Sequence, residues 1–221
     1  MAREIDDLDQ QELDAVKGWW KKHGMTLLSA LLFIVAIILG WQAWQRHETN
    51  QAATASQTYD QLVEMTSNFT TLPEGQRTQV AQLADRLVDN ASGTLYADFG
   101  RLIQARVAVD ANDLGTAAAS LGQVVKNGHD DYVKDVARIN LARVQIDRDH
   151  ADEALDLLKP EMPVDLQAQQ LSVRGDAYVA QKKLDDARTS YQQALKIAHD
   201  HQLSDYGIKL KLDDIAPQEA S

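Results

Sequence analysis

Residues 167–195 read QAQQLSVRGDAYVAQKKLDDARTSYQQAL, and this stretch decides the fold. Apolar and small side chains recur along it at helical spacing, which predicts two helices packed against each other. Gly175 and Ala187 are small, so we expect the two helices to cross closely there, and position 175 should tolerate alanine but not leucine. Tyr178 and Tyr191 should fill the gaps beside that crossing. The complete pattern comprises Leu171, Gly175, Tyr178, Ala187, Tyr191 and Ala194.

The same pattern returns at two earlier points in the chain. A shift of 33 residues places Ala154 at the position of Ala187, and a further shift of 37 residues reaches Ala117. The first shift also aligns Ala142 with Gly175 and Leu158 with Tyr191. The sequence therefore predicts three helix–turn–helix units, over residues 97–128, 134–161 and 168–200. Helices over residues 51–69 and 75–91 are predicted to cap the N-terminal end of this array.

Such spacing is typical of tetratricopeptide repeats, in which helix pairs stack into a solenoid. Three units are about the minimum for a stable array. One segment, Ile208–Leu212, alternates apolar and polar residues with a period of two and is therefore strand-like, although it is too short to found a sheet. We predict an all-α fold, with one N-terminal transmembrane helix followed by a tetratricopeptide-like helical-repeat solenoid.

The transmembrane prediction rests on residues 25–44, MTLLSALLFIVAIILGWQAW, which carry no charge. As a helix this segment would be ~30 Å long, the thickness of the hydrocarbon core of a bilayer. Tryptophans flank it on both sides, as aromatic belts at two membrane interfaces would require. A buried core helix is the alternative, but the length and the paired tryptophans argue against it. The tryptophans are Trp19, Trp20, Trp41 and Trp44.

Basic residues set the predicted orientation, because Lys and Arg beside a span stay cytoplasmic. Three lysines precede the span, whereas only Arg46 lies close behind it. We therefore predict a cytoplasmic tail over residues 1–24, a transmembrane helix over residues 25–45 and a periplasmic helical-repeat domain over residues 46–221. A cleaved signal peptide is disfavoured by the long acidic segment ahead of the span. Ala36 and Gly40 form a small-xxx-small pair that could seat another helix.

Composition and motifs argue against nucleic-acid binding, catalysis and metal binding. The chain has 33 acidic and 22 basic residues and a net charge of -11, so nucleic-acid binding is not expected. It lacks cysteine, phosphate-binding glycine loops, and the HExxH and G-x-S-x-G motifs. His199 and His201 point in different directions on a helix, and the adjacent aspartate pairs fit helix starts. We expect no enzymatic activity, cofactor, metal or small-molecule substrate. The pairs are Asp130/Asp131, Asp185/Asp186 and Asp213/Asp214.

Function is better sought on the concave face, which the first helix of each unit (helix A) lines in tetratricopeptide folds. Arg106 and Arg143 occupy equivalent positions there, so two guanidinium groups could face a bound segment that carries carboxylates. Alternatively, each arginine pairs with an aspartate four residues on, Asp110 or Asp147. The predicted binding surface comprises Phe99, Leu102, Arg106, Val109, Ile139, Asn140, Arg143, Ile146 and Asp176.

The chain resembles a known family, the YfgM-like ancillary subunits of the bacterial SecYEG translocon. The resemblance rests on the order and spacing of four segments: ELDAVKGWWKKHG before the span, INLARVQ and RGDAY in the repeats, and IKLKLDDIA near the C-terminus. It implies a periplasmic tetratricopeptide-like domain anchored in the bacterial inner membrane. It also implies association with the SecYEG translocon and with a membrane-anchored periplasmic prolyl-isomerase-type chaperone, in support of exported client proteins.

We therefore predict a non-enzymatic, membrane-tethered protein-interaction module at the protein-export site. Tethering would raise the effective concentration of a partner without high intrinsic affinity. Two alternatives remain open. One is a scaffold for another envelope assembly complex, and the other is a regulator that acts through the cytoplasmic tail.

Overall fold

The computed structural model describes residue 25 and residues 33–39, 41–42, 52–67, 74–205 and 207–215. Two compact units make up the chain, Met1–Ala52 and Ala53–Ser221. In the first unit, residues 33–39 are helical and exposed, Ala36 among them. Gly40, the tail over residues 1–24 and most of the predicted transmembrane segment lie outside the described residues. Within the described part of the chain, none of the helices combines the length and the apolar character that a membrane span requires.

The second unit is helical along almost all of its described length, as predicted. We number its helices in chain order, and α1 covers residues 52–67. The others are α2 (Glu74–Asn90), α3 (Leu95–Asp110), α4 (Leu114–Asn127), α5 (Asp131–Asp147), α6 (Ala151–Leu157), α7 (Val164–Ala180), α8 (Leu184–Asp200) and α9 (Ile208–Asp214).

The three predicted repeat units correspond to α3–α4, α5–α6 and α7–α8. Each A helix also packs against the next, α3 against α5 and α5 against α7, so the A helices share one face. Ala117, Ala154 and Ala187, the small residues that defined the repeat, are all 0% exposed. Small side chains at these positions allow the paired helices to approach closely. The predicted register of the repeats is therefore confirmed.

A left-handed turn joins helix A to the second helix of the pair (helix B) in every unit. Its central residue has a positive φ, and the N–H of the following residue bonds to a carbonyl five residues back, which satisfies one of the free carbonyls at the helix end. The central residues are Asn112 (φ 59°), Asp149 (φ 64°) and Lys182 (φ 61°). The bonds are Asp113 to Ala108 at 2.8 Å, His150 to Gln145 at 2.8 Å, and Lys183 to Tyr178 at 2.9 Å.

Helix B of the second unit is short. It has 7 residues, against 14 in α4 and 17 in α8, because the chain runs through Pro160 and Pro163 before α7. Polar side chains of α7 donate hydrogen bonds to the backbone carbonyls after α6 that have no helical partner. Gln170 donates to the carbonyls of Leu158 and Pro160, both at 2.8 Å, and Arg174 donates to that of Leu158 at 2.6 Å.

The strand-like segment Ile208–Leu212 is a helix, which corrects the period-two interpretation. Ile208 is 0% exposed and packs on the third unit beside Leu212 and Ile215, whereas Leu210 is 71% exposed. Residues 208, 212 and 215 follow helical spacing, so their contact with the third unit selects a helix. The pair Asp213/Asp214 consequently lies at a helix end rather than at a helix start.

Candidate functional site

A pocket of about 430 Å³ opens between α3, α4 and α5, where the A helices of the first two units meet the first B helix. Five residues of the predicted binding surface line it: Leu102, Arg106, Val109, Asn140 and Arg143. The other lining residues are Ala105, Asp110, Leu121, Val144 and Asp147.

The repeat explains why these side chains converge. Arg106 and Arg143 stand 37 residues apart, as do Asp110 and Asp147, so each pair occupies one register position on two neighbouring A helices. Arginine and aspartate on the same helix are separated by four residues, or ~6 Å along the helix axis. The pocket therefore presents a layer of arginines and, one helical turn away, a layer of aspartates.

Apolar side chains form the floor of the pocket. Ala105 and Leu121 are each 2% exposed and Val144 is 3% exposed, and all three belong to the core between the first two units. Val109, in contrast, is 40% exposed and lies at the edge of the pocket. A ligand side chain entering the pocket would thus exchange water for a rigid apolar surface.

Arg143 is held in this pocket by side chains from two helices. Its Nη1 donates to Asn140 Oδ1 at 2.7 Å. With the Gln169 amide turned so that its oxygen faces the guanidinium, that oxygen accepts from Nη2 at 2.7 Å and from Nη1 at 3.1 Å. Gln169 belongs to α7, so the arginine is fixed jointly by the second and third units. The ion pair with Asp147 that the sequence left open is not the arrangement found for Arg143.

Burial lowers the pKa of Arg143 from its ordinary value, while the charge of Asp176 acts in the opposite direction. Among the described residues, no carboxylate forms a salt bridge with this guanidinium. Its hydrogen-bonding partners are neutral amide oxygens, which satisfy N–H groups but do not compensate the charge. Arg143 is therefore a partly desolvated cation that the described residues neutralise only in part, through the charge of Asp176.

In the third unit, the predicted surface residue Asp176 contacts α9. Asp176 accepts from the Tyr191 hydroxyl at 2.7 Å and from Lys211 Nζ at 2.7 Å. Lys211 also donates to Ser172, which is 2% exposed, at 3.3 Å. Lys211 of α9 thus contacts two side chains of α7, and Asp176 forms an intramolecular ion pair while its side chain remains 26% exposed.

Three other predicted residues lie elsewhere. Ile139 is 1% exposed and belongs to the core between α5, α6 and α7, so it offers no surface to a partner. Ile146 is half-buried against the same core. Phe99 stacks on Tyr59 of α1, with ring centroids 5.0 Å apart. These residues stabilise the scaffold that positions the pocket.

Sequence reasoning missed the role of Lys211. The position of Lys211 within IKLKLDDIA did not indicate a contact with α7. Its partner there, Asp176, lies 35 residues earlier in the sequence. Leu121 was missed as a lining residue because only helix A of each unit was expected to line the concave face. Among the described residues, no group of His, Asp and Glu side chains is arranged to hold a metal ion.

The stacked helix pairs and the pocket on their A helices define a helical-repeat protein of the interaction type. A family model described as tetratricopeptide repeat-like domain matches residues 17–217, and the chain belongs to this family. No solved structure matches it.

Relatives carry a more specific name. The ancillary SecYEG translocon subunit of Haemophilus influenzae is 29% identical over 215 residues, which span 97% of this chain and 100% of that protein. The ancillary SecYEG translocon subunit of Escherichia coli is 28% identical over 193 residues, which span 87% of this chain and 90% of that protein. The resemblance to the YfgM-like ancillary subunits is thereby confirmed.

Proposed function

We propose that this chain is a non-enzymatic, membrane-tethered interaction subunit of a bacterial protein-export translocon. The observation that carries the proposal is the match to ancillary SecYEG translocon subunits along nearly the whole chain. In this proposal residues 25–45 cross the inner membrane, residues 1–24 remain in the cytoplasm, and residues 46–221 form the periplasmic domain. The uncharged segment and its asymmetric lysines support that topology.

Tethering is the proposed mechanism. A domain held beside the translocon meets its partners at an effective concentration that reaches the millimolar range for short linkers, so a shallow pocket of modest affinity is sufficient. The pocket on α3, α4 and α5 would contact exported clients or a membrane-anchored prolyl-isomerase-type chaperone. The small-residue pair Ala36 and Gly40 would allow close approach to a translocon helix.

Protease accessibility tests the topology. Protease added to intact spheroplasts is expected to digest the domain after Arg46 and to leave the tail intact. Digestion of the tail with protection of the large domain would contradict both the orientation and the export-site role.

Site-specific photocrosslinking in living cells tests the partners. We would place the crosslinker at Val109, on the edge of the pocket, and at Leu184 as a matched control, because the two side chains have similar exposures of 40% and 45%. Capture of translocon subunits, the chaperone or exported clients from Val109 but not from Leu184 is the expected result. Additional positions along residues 30–40 should capture translocon subunits within the membrane.

Other capture patterns would contradict the proposal. Selective capture of cytochrome or cell-wall assembly proteins would favour the scaffold alternative. Capture confined to crosslinkers in residues 1–24 would favour a regulator that acts through its tail.

A further inference from the structure

We infer that the pocket between α3, α4 and α5 binds a peptide segment in which a carboxylate lies beside an aliphatic side chain, with Arg143 receiving the carboxylate. This inference rests on the proposed interaction role and adds the chemistry of the ligand to it. The carboxylate belongs to an aspartate or glutamate side chain within the segment.

Arg143 has N–H groups that are available to a ligand. A guanidinium has five N–H donors. Arg143 uses three of them, one toward Asn140 and two toward Gln169, so two remain without an acceptor among the described residues. Carboxylates accept two parallel N–H bonds from arginine in just this way. The same contacts hold the side chain in one orientation, so little conformational entropy would be lost when a ligand binds.

The charge of Arg143 also favours a carboxylate in the ligand. The guanidinium is partly desolvated, as its lowered pKa reflects, and its contacts are to neutral oxygens. A neutral ligand would bury this charge further without compensating it, which is unfavourable. A carboxylate would neutralise it in an environment where charge-assisted hydrogen bonds are stronger than in water.

The apolar floor of the pocket favours an aliphatic side chain in the ligand. Leu121 and Val144 are almost fully buried beneath the pocket, and Leu102 and Val109 flank it. A volume of about 430 Å³ falls within the ~300–1,000 Å³ that is usual for binding pockets. An aliphatic side chain next to the carboxylate would fill this volume while the carboxylate reaches Arg143.

Asp110 and Asp147 limit how acidic the ligand can be. Both line the same pocket one helical turn from the arginines. A second carboxylate placed near them would be repelled. A segment with one carboxylate and aliphatic neighbours therefore fits better than a uniformly acidic one.

The test uses the full-length protein in lipid nanodiscs and synthetic peptides of defined sequence. The probe is Ala-Leu-Asp-Leu-Ala, acetylated and amidated at its ends, and the matched control has Asn in place of Asp. A third peptide, Ala-Leu-Asn-Leu with a free C-terminal carboxylate, is compared with its amidated form to test a C-terminal carboxylate as the ligand instead. The wild-type protein should bind the Asp peptide about 10-fold or more tightly than the Asn peptide.

Variants assign the preference to one side chain. Arg143→Gln should abolish it, and Arg143→Lys should retain part of it, because lysine keeps the charge but not the planar pair of donors. Arg138→Gln is the matched control, since Arg138 lies on the same helix, pairs with Asp135 and does not line the pocket. It should keep the full preference. Circular dichroism checks that each variant is folded, and Arg143→Lys decides the question if the Gln variant is not.

Four results would overturn the inference: equal binding of the Asp and Asn peptides, no binding of the Asp peptide at about 1 mM, an unchanged preference after Arg143 is replaced, or tighter binding of the free C-terminal carboxylate than of the Asp peptide. None of them would affect the proposed function if Val109 still crosslinks to export partners. Conversely, peptide binding without such crosslinks would support the ligand chemistry and contradict the export role.

Discussion

Asp98 on α3 and His129, the residue two positions before α5, form a double contact across 31 residues of sequence. The backbone N–H of His129 donates to Asp98 Oδ2 at 2.8 Å, and the imidazole Nδ1 lies 2.8 Å from the same oxygen. Asp98 is only 1% exposed. A buried carboxylate is stable only when hydrogen bonds compensate its lost hydration. This carboxylate therefore ties the first unit to the start of the second.

Replacement of Asp98 by alanine should lower the free energy of unfolding by about 1–3 kcal/mol, because the N–H of His129 loses its acceptor in a partly buried position. His129→Ala should cost less, since the backbone bond remains and only the half-exposed ring is removed. Urea unfolding of residues 53–221 would measure both. Equal costs for the two variants would mean that the ring, and not the backbone bond, carries the contact.

Residues 53–221 should fold without the preceding segment, because they form one compact unit with its own hydrophobic clusters. We expect a helix-dominated circular dichroism spectrum, a cooperative urea transition and a monomer in sedimentation. A spectrum dominated by strand, or a transition without cooperativity, would contradict the structure.

Most of the repeat architecture could be predicted because small residues recur where helices cross. Ala117, Ala154 and Ala187 were aligned from the sequence, and all three are fully buried. Such positions depend only on the contact within one helix pair, which a local pattern records. The spacing of 37 and then 33 residues also recurs in the left-handed turn residues, from Asn112 to Asp149 and from there to Lys182.

The packing of α9 and the extent of the site could not be predicted, because both depend on contacts between segments that are distant in the sequence. Ile139 stands 37 residues after Leu102, in the same register, yet Ile139 is buried while Leu102 lines the pocket. The difference arises because α5 packs more extensively against α7 than α3 does against α5, so that α6 and α7 cover Ile139. Likewise, Lys211 meets Asp176 only once α9 has folded onto the third unit.

Lys182→Gly should raise the free energy of unfolding by about 1 kcal/mol. Lys182 adopts a φ of 61°, a left-handed conformation that costs a non-glycine residue roughly 1–2 kcal/mol and costs glycine almost nothing. The gain is partly offset by the greater freedom of glycine in the unfolded chain. Lys182→Ala is the control, since it removes the same side chain but keeps the backbone cost. A similar gain from alanine would show that the lysine side chain, and not its φ, was unfavourable.

Gly175 lies at a close helix crossing, as predicted, but its neighbour is the Tyr191 ring and not Ala187. A Cβ atom built at position 175 would overlap this ring. Tyr191 is 2% exposed, and its hydroxyl donates to Asp176 at 2.7 Å. Burial, together with this bond, raises the pKa of Tyr191 above its ordinary value. Because the ring is held on several sides, the expectation that alanine is tolerated at position 175 needs correction.

Gly175→Ala should therefore lower the free energy of unfolding by ~1–3 kcal/mol, the usual cost of overpacking, although alanine favours a helix by up to about 1 kcal/mol. Gly122→Ala provides the matched control. Gly122 is also inside a helix, but nothing lies within 4 Å of a Cβ built there, so alanine should stabilise the protein by its helix propensity alone. Urea unfolding of residues 53–221 would measure both variants, and the two changes should have opposite signs.

The second unit supplies the companion variant. At the positions equivalent to Gly175 and Tyr191 it has Ala142 and Leu158, both 0% exposed. The double variant Gly175→Ala, Tyr191→Leu introduces this pair into the third unit and removes the overlap. Tyr191→Leu alone should be destabilising, because it leaves a cavity and deprives Asp176 of a donor. The double variant should be more stable than the sum of the single changes predicts, by ~1 kcal/mol or more, since the two side chains are in contact. Strict additivity would mean that the ring does not limit the size of residue 175, and the close crossing would then have another cause.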